Sequence, residues 1–329
     1  MNSFLKQSFT SISEHLFTAA KQGYWSNLDR KENDQLIESL KTLSTRDAIR
    51  KHHPRLFDVI FSEDRFKGVN ILELKGTERC VDFGCMWGAL TVPLAKKAAY
   101  VLGVDQTLDS LRFLDKRMKE QEISNYGLLC SDLRTLPDFT QKFDVAIVNG
   151  VLEWIPEQGD IQLSSYFGKV SAKQYSESPI EAQRKFLAYV WRNLAPGGRL
   201  YLAIENRFDY HHFFGIRDPH AGLPWLPILP RPLASALSQL QLKRPYVNWI
   251  YSFAQMQKLL GSAGFSAVDK YVCFPDYRFP EYIAPFEQRL KDFQLVGAKS
   301  LKKKLVQTAL FKTLKLSELA PSIIMVAKK

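Results

Sequence analysis

The stretch RCVDFGCMWGAL, Arg79 to Leu90, decides the fold. An apolar run ends in Asp82, and Gly84, Cys85, Met86, Trp87 and Gly88 follow. A short buried strand that stops in a glycine-bearing turn is how a parallel sheet delivers its chain to a ligand. Four further runs share the pattern: AAYVLGVD, YGLLCSD, FDVAIVNGVLEWI and GGRLYLAIEN. They are rich in Val, Ile, Leu and aromatics, and several end in an acid, a Gly or an Asn. Strands buried on both faces of a helix-covered parallel sheet have this composition. Between them lie helical stretches such as EAQRKFLAYVWRNLAPGG, which Pro196, Gly197 and Gly198 terminate. The expected fold class is α/β.

The flanks differ. Residues 1–75 are expected to be a helical extension. Phe4, Leu5, Phe9, Ile12, Leu16 and Phe17 recur at helical spacing, and Ser44 or Thr45 caps STRDAIRK. The α/β domain then runs over 76–275, interrupted by a proline-rich loop at 216–232. A basic helical insertion occupies 276–320, and SIIMVAK forms a final strand within 321–329. The net charge is +11, and ten Lys or Arg against three acids fall between Phe286 and Lys329. No run approaches the roughly 18 apolar residues of a membrane span, and the N-terminal stretch lacks the pattern of a signal peptide. Cys80, Cys85, Cys130 and Cys273 show no paired metal-site spacing and are expected to be reduced thiols in a cytoplasmic protein.

The turn narrows the ligand. Asp105 ends the second strand, 21 residues after Gly84. A carboxylate there is placed to accept both hydroxyls of a ribose. Dinucleotide sites need a central glycine so that a pyrophosphate can approach the backbone, and Met86 stands in that place. No lysine-bearing phosphate loop occurs. The expected ligand is therefore a nucleoside without a pyrophosphate, of which S-adenosylmethionine is the common case.

With these residues in hand, the chain resembles the class I S-adenosylmethionine-dependent methyltransferases over roughly 78–275 and the final strand. VDFGCMWG resembles their first motif, with Met86 departing from the usual glycine. VLGVDQT, LLCSDLRTLP, FDVAIVNGVLEWI and LAPGGRLYLAIENR resemble the motifs that follow, in order. The resemblance implies a Rossmann-like, doubly wound, mostly parallel sheet of seven strands whose last strand is antiparallel. It implies S-adenosyl-L-methionine as cofactor, with Asp82, Gly84, Cys85, Met86 and Gly88 around the first turn. Asp105 and Gln106 would lie at the ribose, Asp132 and Leu133 at the adenine, and Asn149 and Gly150 beside the methionine part.

An alcohol acceptor also needs a base. The loop ENRFDYHHFFGIRDPHAG offers Glu205, His211, His212 and His220, with His212 and Glu205 preferred and His211 next. Three histidines without ligand spacing predict no metal. The loop GLPWLPILPRPL, residues 222–233, is expected to cap the site or to touch a membrane through Trp225. The lysine-rich segment 299–316 has the pattern of a basic amphipathic helix. AIENRFDYHHFFGIRDPH, KLLGSAGF and FPDYRFPEY resemble methyltransferase domains of bacterial surface-polysaccharide biosynthesis. That resemblance implies O-methylation of a sugar or glycan hydroxyl, and the basic tail and apolar loop would suit a lipid-linked acceptor met peripherally at the inner membrane face. Tyr210, Phe213, Phe214, Trp225, Tyr277 and Tyr282 would stack on sugars, with Arg207 and Arg217 on an acidic group. The alternatives are a small-metabolite or RNA acceptor, and a non-catalytic methyltransferase-like partner protein. Nucleic acid is disfavoured, since the basic residues are not interleaved with aromatics along a groove.

Overall fold

The computed structural model describes residues 9–19, 25–26, 28–136, 139–157, 161–162, 177–288, 290, 293, 295–297 and 300–329. Its centre is one twisted sheet. The strands are β1 (Thr10–Ser11), β2 (Leu16–Thr18), β3 (Arg79–Phe83), β4 (Tyr100–Asp105), β5 (Tyr126–Cys130) and β6 (Phe143–Asn149). Then come β7 (Leu194–Glu205), β8 (Ala267–Phe274), β9 (Tyr282–Pro285) and β10 (Ser322–Lys328). The spatial order is β1-β2-β5-β4-β3-β6-β7-β10-β8-β9. From β2 to β7 every pairing is parallel, and β10 is antiparallel to both β7 and β8. The seven strands from β5 to β8 are those expected. Three edge strands enlarge the sheet to ten.

Alternation along β3 feeds two apolar layers. Val81 and Phe83 pack with Phe186, Leu187 and Val190 of α4 (Pro179–Asn193). Cys80 faces the other side with Val92, Leu94 and the α3 (Leu108–Glu120) residues Leu111 and Leu114. The helices begin where side chains can satisfy free backbone N–H groups. Asp29 and Glu32 form a reciprocal capping box on α1 (Arg30–Ser39), and Ser44 caps α2 (Thr45–His52). Ser178 caps α4 ahead of Pro179.

The N-terminal extension corrects one expectation. Phe4 and Leu5 lie outside the described residues, but Leu16 and Phe17 belong to a strand, not a helix. Leu16 is 1% exposed and pairs with Leu128 of β5, so the sheet's open edge overrides the helical spacing. The basic insertion also differs in part, because Tyr282–Pro285 extends the sheet before Leu301–Gln307 turns helical.

Strand order reverses at β3, which has β4 on one side and β6 on the other. Ligands bind beyond the carboxyl ends of strands at such a point. Asp82, Asp105, Asn149 and Glu205 all end up there.

Candidate active site

A cavity of about 510 Å³ opens at this switch point. That volume suits a nucleoside with an acceptor beside it. The first turn makes its floor. Gly84 has φ 73° and Gly88 φ 79°, and Met86 also sits in the left-handed region at φ 44°. The position thus carries a real conformational demand, and a methionine meets it at a cost of about 1–2 kcal/mol. A Cβ on Gly84 would come within 2.4 Å of Val151. Arg117 reaches under the turn and donates to the carbonyls of Trp87 and Gly88, both at 3.0 Å. Trp87 packs beneath against Phe113, while Met86 stays half-buried in the cavity wall.

Asp105 is the hinge of the cofactor end. Its Oδ2 accepts the Met86 N–H at 2.9 Å and its Oδ1 the Thr107 N–H at 2.9 Å. The Gln106 N–H and the Thr107 hydroxyl add to this hold on the carboxylate. Burial pushes Asp105 up to about 6 and Asp82 up to about 7, the latter against a 2.7 Å bond from the Thr91 hydroxyl. Asp132 is gripped by Arg134, whose Nε donates at 2.9 Å and whose Nη2 donates at 2.5 Å. Gln106, Leu133, Asn149 and Gly150 line the cavity with them. Gly150, at φ 66°, lets the Tyr277 ring come close; a Cβ there would lie 2.3 Å from its hydroxyl. Gly88 is the exception, being outside the lining because it packs on Leu114. Cys85 lines the wall but burial holds its thiol well above the usual value, so it is an inert residue.

Residues 80–170 match the family model of the methyltransferase domain. The chain carries a methyltransferase domain. Asp105, Asp132 and the turn from Gly84 line the cavity where the resemblance to the class I enzymes would set S-adenosyl-L-methionine. Over 143 residues the chain is 30% identical to the ubiquinone biosynthesis O-methyltransferase of Coxiella burnetii, covering 43% of this chain and 59% of that protein. It is 26% identical over 155 residues to an uncharacterized protein of Rickettsia prowazekii, covering 46% of this chain and 26% of that protein. The chain therefore spans about three fifths of the Coxiella relative. A solved putative methyltransferase from Bacillus halodurans is similar at 17% identity and TM-score 0.45, covering 82% of this chain and 99% of that one. The Haemonchus contortus phosphoethanolamine N-methyltransferase 2, solved with S-adenosylmethionine, is similar at 14% identity and TM-score 0.43, covering 88% and 60%.

The methyltransferase domain keeps its polar chemistry at the other end of the cavity. Glu153 lies in the turn after β6, Glu205 ends β7, and His220 comes from the loop beyond. The Nε2 of His220 is 3.8 Å from Glu153 Oε1 and 3.9 Å from Glu205 Oε2. Its Nδ1 is 3.0 Å from Asp218, and its ring meets Trp154 edge-on at 5.2 Å. Tyr277 donates to Glu205 Oε1 at 3.2 Å. Burial alone would lower the imidazole's pKa, but Asp218, Glu153 and Glu205 outweigh it and hold His220 well above its usual range. Burial likewise raises Glu153.

Several expected roles move. His211 and His212 lie outside the cavity lining: His211 pairs with Asp209 at 2.9 Å, and His212 is buried elsewhere. Arg207 donates to the carbonyls of Pro227 and Leu229, so it secures the proline-rich loop. Arg217 likewise donates to Gly222. Of the six aromatics expected to stack on sugars, Tyr277 alone is among the lining residues. Within 222–233, Leu223 and Leu226 bury themselves against Ala234 and Tyr246, and the cavity's cover comes instead from Arg55, Leu56, Val59, Ile60 and Arg65 of the N-terminal extension. Glu153 and Asp218 were missed. The DPH spacing of Asp218 and His220 was the available signal for the second; nothing local marked the first.

Proposed function

We propose that the chain is an S-adenosylmethionine-dependent O-methyltransferase acting on a hydroxyl borne by a largely apolar body. The observation that carries this reading is the Glu153, Glu205 and His220 cluster facing the same cavity as Asp105. When bound, S-adenosylmethionine supplies a methyl group already activated for in-line displacement. Asp105 and Asp132 fix the nucleoside, and the turn from Gly84 to Gly88 keeps the backbone close to it. The cluster receives the proton that the acceptor hydroxyl must lose. Asp218 orients His220 through Nδ1, and Tyr277 orients Glu205 through Oε1, so Nε2 and Oε2 point to the reacting oxygen. Leu56, Ile60, Trp154 and Phe279 give the acceptor's body an apolar bed and exclude water. The O-methyl chemistry of the Coxiella relative supports the acceptor atom. The test is calorimetric binding of S-adenosylmethionine, followed by turnover against phenols, apolar alcohols and lipid-linked glycans. Binding with turnover of the glycans alone would restore the polysaccharide reading; no cofactor binding by folded protein would leave a non-catalytic scaffold.

We also propose contact with an anionic membrane surface. Phe213, Phe214, Ile216 and Trp225 are about half exposed, and a Cβ on Gly215 would lie 3.2 Å from the Trp225 ring, so they form one patch. The lysine-rich helix adjoins it through Tyr210, which packs on Phe311 at 5.3 Å and lies 6.5 Å from Phe214. Leu301 and Leu305 are exposed beside Lys302 and Lys304. Among the described residues no helix is long and apolar enough to cross a membrane.

A further inference from the structure

We propose that Glu153, Glu205 and His220 form a binding site for one divalent first-row cation at the acceptor end of the cavity. Their donor atoms cluster within 4.8 Å, and His220 Nε2 is 3.8 Å from Glu153 Oε1 and 3.9 Å from Glu205 Oε2, a few tenths of an ångström beyond the roughly 3.3–3.6 Å that tetrahedral bonds of about 2.0–2.2 Å to a shared ion would set. The site is built from three separate elements, so no sequence spacing announces it.

Two features distinguish it from an ordinary acidic cluster. The first is the state of the donors. Glu153 is 1% exposed, and among the described residues neither of its carboxylate oxygens has a partner within hydrogen-bond distance; the nearest cation is His220 Nε2, 3.8 Å from Oε1. Glu205 Oε2 is also buried without such a partner. A buried carboxylate left this way costs several kcal/mol unless something compensates it. The second feature is the surrounding support. The Nδ1 of His220 is held by Asp218 at 3.0 Å, and Asp218 Oδ2 is itself fixed by the Ala221 N–H at 2.8 Å. Carboxylate, then imidazole, then ion is the usual arrangement behind a metal-bound histidine. Glu205 is oriented in the same manner by Tyr277 at 3.2 Å. Asn248 donates to the Glu153 carbonyl at 3.1 Å and fixes the turn that carries it.

Two carboxylates and one imidazole suit Mn²⁺, Fe²⁺, Co²⁺ or Zn²⁺, and three protein ligands leave positions open toward the cavity. The binding itself stands on the geometry. What the ion would do rests on the methyltransferase reading: it would hold the acceptor oxygen and favour its deprotonated form.

The test uses full-length protein stripped with a chelator and titrated with Mn²⁺, followed by calorimetry and by electron paramagnetic resonance. Wild type should bind one equivalent. Glu153→Gln and His220→Ala should each weaken it by tenfold or more, with the fold checked by circular dichroism. Glu205→Gln provides a third variant should one of these fail to fold. Wild type that binds neither Mn²⁺ nor Zn²⁺, or variants that bind as tightly as wild type, would overturn the site. S-adenosylmethionine titrated into the same samples separates the two readings, because loss of cofactor binding with the cation retained would sink only the methyltransferase assignment.

Discussion

The backbone N–H of Met86 donates to Oδ2 of Asp105 at 2.9 Å, so the left-handed residue of the first turn positions the Asp105 carboxylate. The N–H does this, not the side chain, and for that reason a methionine is tolerated there. Met86→Gly should keep the bond and remove the strain. Chemical denaturation should then show a gain of about 1 kcal/mol, with cofactor affinity within about threefold of wild type. A loss of stability would mean that the half-buried thioether packs better than the strain costs.

Asp105 also sets a pH dependence. Burial raises its pKa to about 6 and that of Asp82 to about 7, so the cofactor-free fold holds these protons more tightly than the unfolded chain does. Their contribution to stability is fully present below the ordinary carboxylate value, near 4, and is lost as pH rises through 6 and 7. Cofactor binding runs the opposite way, because the ribose hydroxyls donate to the ionised form. At pH 5 about one Asp105 in ten is ionised, so the dissociation constant should rise about tenfold over its value near pH 7.5. Asp105→Ala should abolish measurable binding. A calorimetric titration series that is flat across this range would remove Asp105 from the ribose.

The parallel strands were legible because β3 to β7 are buried on both faces and cannot disguise their composition. The first turn was legible for a related reason: Asp82 closes β3 with Phe83, Gly84 follows, and Asp105 ends β4, and strand ends can be found from sequence. Leu16 and Phe17 were misread because a segment of only a few residues satisfies helical and strand spacing alike; the deciding fact is the free edge of β5, which is not local. The acceptor end was illegible in a different way. Glu153, Glu205 and His220 meet only because β6 and β7 are neighbours and the loop after β7 folds back. With three histidines in ten residues, sequence alone favoured His212, which the fold turns away from the cavity.

That difference is testable. His220→Ala should lower kcat by about 10²–10⁴-fold with any accepted hydroxyl, since the ring ties Glu153 to Glu205 at the acceptor end. His212→Leu fills a similar buried volume away from the cavity and should retain most of the activity. Both are read from methyl transfer under saturating cofactor. The reverse ranking would return the catalytic role to His212.

The membrane contact predicts a salt-sensitive, lipid-dependent association. The +11 charge would draw the chain to an anionic surface, but charge alone falls off within about 8 Å at physiological salt. Persistence at that salt therefore needs the Phe213, Phe214, Ile216 and Trp225 patch to enter the interface, where tryptophan is favoured. Sedimentation with vesicles containing about one-third anionic lipid should recover the protein, and neutral vesicles should not. Replacing Lys302 and Lys304 with Glu should weaken binding by tenfold or more, since each lysine contributes about 1 kcal/mol near such a surface. Phe214→Ser with Trp225→Ser should leave low-salt binding largely in place and abolish it at physiological salt. Equal recovery with neutral and anionic vesicles, or none with either, would leave the lysine-rich helix as a solvated face.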